Sequence, residues 1–288
     1  MRPLDLNTPR RWPLTPLLLQ CREARLRLGA QPLGPINLSL QQGERVAVLG
    51  PSGAGKSTLL KLLAAELSPA SGTLQLHDRT LARWPLAELA RQRAVMPQSH
   101  EVAFGLPVAL VIALGRVALR HDPQREAIVA QAAASAQAQH LLERRFDTLS
   151  GGEKARVQLA RVLAQLWDCQ GGLLLVDEPL AALDPGLQWQ LMDTLQHYAR
   201  ERQHAVVAVL HDINQALNSF ERLWLMQQGQ LVADLPATPN RALPLLEALY
   251  GLPLCHAYSA EGESAVVPAL QRWRATRQTR SAACAAGA

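Results

Sequence analysis

Long hydrophobic runs are absent from this sequence. The longest apolar stretch without a charged side chain spans residues 102–115 and contains Gly105 and Pro107, whereas a helix that crosses a bilayer needs about 20 apolar residues. Near the start of the chain, the apolar residues 12–19 are interrupted by two prolines, which makes them a poor match to a signal peptide. The sequence therefore gives no indication of secretion or of insertion into a membrane.

Cysteine is scarce and scattered. The 288 residues include four cysteines, and no two of them form a C-x-x-C pair. This spacing argues against both a disulfide framework and a zinc site, and it favours reduced thiols in a cytosolic protein. The four are Cys21, Cys169, Cys255 and Cys284.

Basic residues are not in excess in the body of the chain, although the net charge is +5. Residues 1–28 hold six arginines against two acidic residues, and residues 269–288 hold four arginines and no acidic residue, so each end carries +4. Residues 29–268 are left with −3, which argues against a nucleic-acid-binding surface on the folded body. The basic ends are expected to be solvated tails, with attraction to an anionic membrane face as the alternative.

What the chain does contain is a complete phosphate-binding loop. Residues 50–58 match the pattern G-x-x-x-x-G-K-[S/T], with an apolar run before them and a helical pattern after them. The glycines let successive backbone N–H groups point at phosphates beside a helix N-terminus. Lys56 adds a charge for the β- and γ-phosphates, and Ser57 offers a hydroxyl to Mg²⁺. The sequence therefore predicts that a nucleoside triphosphate binds here. The loop consists of Gly50, Pro51, Ser52, Gly53, Ala54, Gly55, Lys56, Ser57 and Thr58.

Two acidic residues follow a continuous apolar run. Residues 173–176 lead directly into Asp177 and Glu178, so this strand is predicted to end in an active site. Asp177 can hold the Mg²⁺ shell together with Ser57, while Glu178 can orient the attacking water or accept its proton.

The order of strand and helix patterns indicates an α/β protein. Residues 99–148 show helical spacing, which predicts a helical insertion between two halves of a mixed core. Residues 36–40 alternate apolar and polar, and they are expected to pair antiparallel with the strand before the phosphate loop. Other predicted elements include helices at 85–91, 186–201 and 243–250, strands at 94–97 and 205–210, and hairpins at 224–232 and across 261–262.

Taken in order, the motifs resemble those of ABC transporter ATP-binding subunits. These are the phosphate loop, Gln98, the run LSGGE, the pair Asp177 and Glu178, Asp184 and His211. The resemblance covers roughly residues 17–268. It implies a P-loop NTPase core with an antiparallel β subdomain and an inserted α-helical subdomain at about 99–160. Residues 1–16 are then a flexible extension, and residues 269–288 are a disordered basic tail.

The resemblance also implies a role for each motif residue. ATP and Mg²⁺ are the cofactors, with Ser57, Gln98 and Asp177 around the metal. Glu178 and His211 are the catalytic residues. Asp184 takes part in communication within a dimer, and the position of the aromatic residue that stacks on adenine is held by Leu28. The signature, which closes on ATP held by the other subunit, is Leu149, Ser150, Gly151, Gly152 and Glu153.

Several stretches are most similar to the haemin-importer branch of the family, notably residues 66–72, 84–90, 94–99 and 156–167. This similarity implies a homodimer that hydrolyses ATP at the cytoplasmic face of the inner membrane, as a peripheral part of a translocase. The implied partners are two copies of a transmembrane permease and, through it, a periplasmic haemin-binding protein. The alternative substrates are vitamin B12 and ferric siderophores. A soluble ABC ATPase of DNA repair or translation is a distant alternative, because those chains usually carry two cassettes or a long coiled coil.

Overall fold

The computed structural model describes residues 16–28, 31–97, 105–177, 183–262 and 264–274. The strands are β1 (Leu17–Leu28), β2 (Gln31–Gln41), β3 (Arg45–Leu49), β4 (Ser71–Leu76), β5 (Arg79–Thr80), β6 (Arg93–Met96), β7 (Leu173–Asp177), β8 (Ala205–Val209), β9 (Arg222–Gln227), β10 (Gln230–Pro236), β11 (Leu254–Tyr258) and β12 (Ser264–Pro268). The α-helices are α1 (Lys56–Leu63), α2 (Leu86–Ala90), α3 (Val108–Ala113), α4 (Arg125–Ser135), α5 (Gly151–Gln165), α6 (Pro185–Glu201), α7 (Ile213–Ser219) and α8 (Pro239–Tyr250).

A six-stranded sheet forms the centre of the fold, in the order β10-β9-β3-β8-β7-β6. Neighbouring strands are parallel except for β9 and β10, which form the predicted hairpin. Residues of β3, β7 and β8 alternate between two hydrophobic clusters, one on each face of the sheet. A strand that is buried on both faces needs a continuous apolar sequence, which explains the runs at 46–49, 173–176 and 205–209.

The second sheet is antiparallel, with the order β2-β1-β4-β5, and it covers one face of the central sheet. The predicted pairing of residues 36–40 with the strand before the phosphate loop is wrong. Instead β2 pairs with β1, while β3 lies parallel to β8 and β9 in the central sheet. The alternating pattern of β2 suits a sheet with one solvated face. The turn at Gly43, where φ is +74°, redirects the chain between the two sheets.

Helices α3 and α4 pack against α5 on the opposite face of the central sheet from α1. The helical pattern predicted for 99–148 is thus found in the described part of that segment, although the subdomain limits stay a prediction. The predicted helices at 85–91, 186–201 and 243–250 correspond to α2, α6 and α8, and the hairpin across 261–262 is β11–β12. Residues 270–274 form one helical turn, while residues 1–15 and 275–288 lie outside the described residues. In the portion of the chain described, no helix is both long and apolar enough to cross a membrane.

The end of β7 that lies away from the motifs packs around a fully buried histidine. Nδ1 of His204 accepts a hydrogen bond of 2.9 Å from the Gly172 backbone N–H. Burial, with a smaller effect from the Arg202 guanidinium, lowers the pKa of His204 to about 4. The neutral ring is therefore a structural component of the core.

This histidine predicts a pH dependence of stability. Between its pKa in the unfolded chain, about 6.5, and its pKa of about 4 in the fold, the unfolded chain binds a proton that the folded chain does not. The free energy of unfolding should therefore fall as the pH drops through this window, by about 2 kcal/mol at pH 5. Urea unfolding at pH 7.5 and pH 5 checks this. His204→Gln should lose about 2 kcal/mol of the pH dependence, and an unchanged dependence would contradict the assignment.

Candidate functional site

The motif residues meet at the carboxyl edge of the central sheet. Because β3, β8 and β7 are adjacent and parallel, their carboxyl ends lie side by side, where α/β sheets bind ligands. Gly50 follows β3, Asp177 ends β7, and His211 lies two residues after β8. The fold thus brings to one edge three motifs that are distributed from Gly50 to His211 in the sequence.

The phosphate loop has the backbone conformation that its glycines predict. Gly53 and Gly55 have φ values of +76° and +97°, a region that side-chain-bearing residues rarely occupy. Gly55 is the N-cap of α1, so the loop leads into a helix N-terminus. Lys56 is only 5% exposed, and its Nζ donates to the backbone oxygens of Gly50 at 2.8 Å and Pro51 at 3.1 Å. The ammonium group therefore folds back over the loop that is predicted to hold phosphates.

The turn between β9 and β10 braces this loop, a contact that the sequence did not indicate. The backbone N–H of Gly229 donates to the Ala54 oxygen at 3.0 Å, and the Gly34 N–H donates to the Gly229 oxygen at 2.7 Å. A Cβ at Gly229 would lie 2.1 Å from the Pro32 oxygen, and φ there is +77°. A glycine is therefore needed where the two sheets and the phosphate loop meet. The β9–β10 hairpin was predictable from its sequence pattern, but its contact with the phosphate loop was not.

Ser57 and Asp177 lie together at this edge. The Ser57 hydroxyl donates to Asp177 Oδ1 at 3.1 Å, across 120 residues of sequence. A hydroxyl and a carboxylate are oxygen donors of the kind that Mg²⁺ prefers in nucleotide sites. The two side chains therefore fit a magnesium ion that arrives with a nucleotide.

His211 is exposed between β8 and α7, and its neighbour fixes the helix that follows. Asp212 is the N-cap of α7, where its Oδ1 accepts the backbone N–H groups of Asn214 at 2.7 Å and Gln215 at 3.1 Å. The Asn214 amide in turn forms two hydrogen bonds with the backbone of Val266 in β12. The terminal hairpin thus holds the start of α7, a link that sequence analysis missed.

Gln98 and Glu178 lie outside the described residues, as does the side chain of Leu28, whose backbone ends β1 opposite Gln31. In the sequence, Gln98 comes two residues after the end of β6 and Glu178 comes directly after β7. The roles of Gln98 at the metal and of Glu178 in catalysis therefore stay predictions.

The signature forms the N-terminus of α5 through a capping box. Ser150 Oγ accepts the Glu153 N–H at 3.3 Å, and Glu153 Oε2 accepts the Ser150 N–H at 2.8 Å. A Cβ at Gly151 would meet nothing within 4 Å in the described structure, and its φ is not positive. Packing and backbone conformation within the described chain therefore give no reason for glycine at 151. At Gly152 a Cβ would lie 2.7 Å from a terminal methyl of Leu187, so that side chain would have to move to admit one.

Asp184 caps the helix that touches the signature. Its Oδ1 accepts the Leu187 N–H at 3.0 Å at the start of α6. The Leu187 side chain lies against Gly152. Leu187 therefore links Asp184, which accepts its N–H, to the signature. The structure thus connects Asp184 to the signature, while its role in dimer communication stays a prediction.

Known proteins resemble the chain in both sequence and structure. The ABC transporter family model matches residues 33–181. A hemin import ATP-binding protein of Pseudomonas aeruginosa is 44% identical over 82% of this chain and 93% of its own length. A protein of the same name from Methylobacillus flagellatus is 41% identical over 82% of this chain and 90% of its own length.

Solved structures agree with the predicted fold. An inward-facing structure, described as that of a metal-chelate type ABC transporter, covers 88% of this chain and 98% of its own, with a TM-score of 0.73 and 25% identity. A dimeric ATP-binding cassette bound to ADP and Pi covers 77% of this chain and 99% of its own, with a TM-score of 0.67 and 24% identity. The predicted P-loop NTPase fold is confirmed. With its phosphate loop and these relatives, the chain belongs to the ABC transporter family, as one of its ATP-binding subunits.

Proposed function

We propose that this chain hydrolyses ATP to drive the import of haemin across the bacterial inner membrane. The substrate assignment rests on one observation. The chain is more than 40% identical to hemin import ATP-binding proteins over most of its own length and of theirs. The sequence stretches around residues 84–90 and 156–167 support the same branch. Vitamin B12 and ferric siderophores are the alternative substrates.

In the proposed reaction, the phosphate loop binds the triphosphate through its backbone N–H groups and Lys56. Ser57 and Asp177, with Gln98, would hold Mg²⁺, which neutralises charge on the phosphates. Glu178 follows Asp177 and is proposed to orient the attacking water and accept its proton. His211, at the same edge, is proposed to contact the γ-phosphate.

The active form is proposed to be a head-to-tail homodimer. Helix α1, which follows the phosphate loop, and helix α5, which carries the signature, pack on opposite faces of the central sheet. This arrangement supports a signature that acts on the ATP of a second chain. The open space beside Gly151 leaves room for a phosphate at the N-terminus of α5. Two ATP molecules would then be enclosed between two chains.

The helical insertion is proposed to contact the permease. Leu110, Leu114 and Val117, on α3 and the turns after it, are 48%, 41% and 76% exposed. A cluster of exposed apolar side chains is typical of a protein interface. The proposed complex holds two chains at the cytoplasmic face of the membrane, two permease copies, and a periplasmic haemin-binding protein that acts through the permease.

Transport assays with the whole complex test the substrate. Vesicles that contain this chain and its permease should take up haemin, supplied with the binding protein, only when ATP is enclosed on the side of the ATPase. Cobalamin and a ferric siderophore are the parallel substrates. Uptake of either one without uptake of haemin would overturn the substrate assignment and leave the ATPase assignment intact.

Asp177→Asn should separate metal binding from nucleotide binding. The amide keeps the shape of the carboxylate but removes its charge, so the Mg²⁺ concentration for half-maximal ATPase activity should rise. We expect a rise of roughly tenfold or more, since contacts to charged groups are worth about 1.5–3 kcal/mol. Binding of ATP without Mg²⁺ should be nearly unchanged. Asp193→Asn, an exposed position on α6, is the control. An unaltered Mg²⁺ requirement in Asp177→Asn would remove Asp177 from the metal site.

A further inference from the structure

The carboxylate of Glu153 lies at the end of α5 to which the proposed function assigns a phosphate. Hydrogen bonds from the Ser150 backbone and side chain, with the charge of Arg144, hold the pKa of Glu153 below its usual range. The group is therefore ionised at neutral pH. A phosphate that approaches Gly151 would meet this negative charge at the third residue of the helix.

Arg144 compensates this charge. Its Nη1 donates to Glu153 Oε1 at 2.8 Å, while the other carboxylate oxygen accepts the Ser150 N–H. Lys154 directly follows Glu153 in the sequence, but its Nζ lies over the Phe146 ring, 5.9 Å from the ring centroid. Among the residues that the structure describes, Arg144 is the one that forms an ion pair with Glu153.

The backbone of Arg144 is attached to the helical insertion. Its carbonyl oxygen accepts the Val108 N–H at 2.9 Å in the first turn of α3, and the Leu142 oxygen accepts the Ala109 N–H at 3.1 Å. Helix α3 is the one that exposes Leu110. The compensating charge therefore sits on a segment that is hydrogen-bonded to the proposed permease-facing helix.

We infer that Arg144 is a positioning residue, which neutralises Glu153 so that the signature helix can accept the γ-phosphate of ATP bound to a second chain. This inference rests on the proposed function, because it requires an ATP-dependent dimer. Like charges that meet in a desolvated interface cost several kcal/mol. An ion pair in solvent contributes little to folding, and Arg144 and Glu153 are 46% and 27% exposed. The pair thus acts on nucleotide-driven association rather than on stability.

The test uses the full chain with Glu178→Gln, which should retain ATP in a stable dimer. Sedimentation velocity across an ATP titration gives the concentration for half-maximal dimerisation. Arg144→Gln should raise it by about fivefold or more. ATP binding to the dilute monomer and the unfolding temperature should match those of the parent. Adding Glu153→Gln should reduce the effect of Arg144→Gln to less than about twofold, because no charge then needs compensation.

Arg145→Gln is the matched control. It breaks the neighbouring exposed pair, Arg145 Nη2 to Asp147 Oδ2 at 3.1 Å, without touching the signature, so dimerisation should equal that of the parent. The inference is wrong if Arg144→Gln dimerises like the parent, or if its defect persists in full beside Glu153→Gln. If Arg144→Gln also lowered the unfolding temperature in proportion to its dimerisation defect, Arg144 would have a structural role, and the inference would again be wrong. If the parent with native Arg144 forms no ATP-dependent dimer, the proposed function itself fails.

Discussion

Replacing Glu178 by glutamine is expected to stop steady-state ATP hydrolysis while ATP binding continues. In the sequence Glu178 directly follows Asp177, whose carboxylate at the end of β7 accepts a hydrogen bond from Ser57 of the phosphate loop. The amide cannot accept a proton from water, and general base catalysis contributes about 10²–10⁴-fold to such reactions. The variant should lose activity by that factor and accumulate as an ATP-bound dimer. Phosphate release and size-exclusion chromatography with light scattering, with the permease present for the activity assay, provide the measurements.

The matched control for this variant is Glu143→Gln, which removes the charge of an exposed glutamate in the helical insertion. It should hydrolyse ATP at the parent rate. Normal turnover in Glu178→Gln would show that another group activates the water. Loss of ATP binding in this variant would instead indicate a role for Glu178 in holding the nucleotide.

Motifs with a fixed local backbone were predictable from the sequence. The positive φ values of Gly53 and Gly55 and the capping box of Ser150 and Glu153 follow from short-range rules. The apolar run before Asp177 likewise predicted a buried strand. Such features are determined by residues a few positions apart in the chain, so a single sequence is enough to predict them.

Contacts between distant segments were not predictable in the same way. The expected pairing of β2 with β3 failed because a strand pattern shows how many faces are buried, but not which strand lies alongside. For the same reason, the hairpin at 224–232 was predicted while the contact of Gly229 with Ala54 was not. The ion pair between Arg144 and Glu153 was not predicted either, because a single arginine before a motif forms no recognisable sequence pattern.

Gly151→Asp should abolish ATP-dependent dimerisation and leave the fold intact. The described residues leave open space at this position, and a negative side chain in the first turn of a helix stabilises it by about 0.3–1 kcal/mol. Against a phosphate, the same charge should cost about 3 kcal/mol, or on the order of a hundredfold in affinity. Sedimentation velocity across an ATP titration, in the Glu178→Gln background, measures the ATP concentration for half-maximal dimerisation. Gln124→Asp, which adds the same charge at the N-terminus of α4, should dimerise normally.

A mixture of two variants tests whether each ATP lies between two chains. Lys56→Ala disables the phosphate loop and Gly151→Asp disables the signature, so neither chain should dimerise alone when both carry Glu178→Gln. In the mixed dimer, the loop of the Gly151→Asp chain faces the signature of the Lys56→Ala chain, and both are intact. Mixing should therefore restore a dimer that retains one ATP, as measured by filter binding and light scattering. If each signature served the loop of its own chain, no intact site would exist in any pairing, and the mixture would remain monomeric.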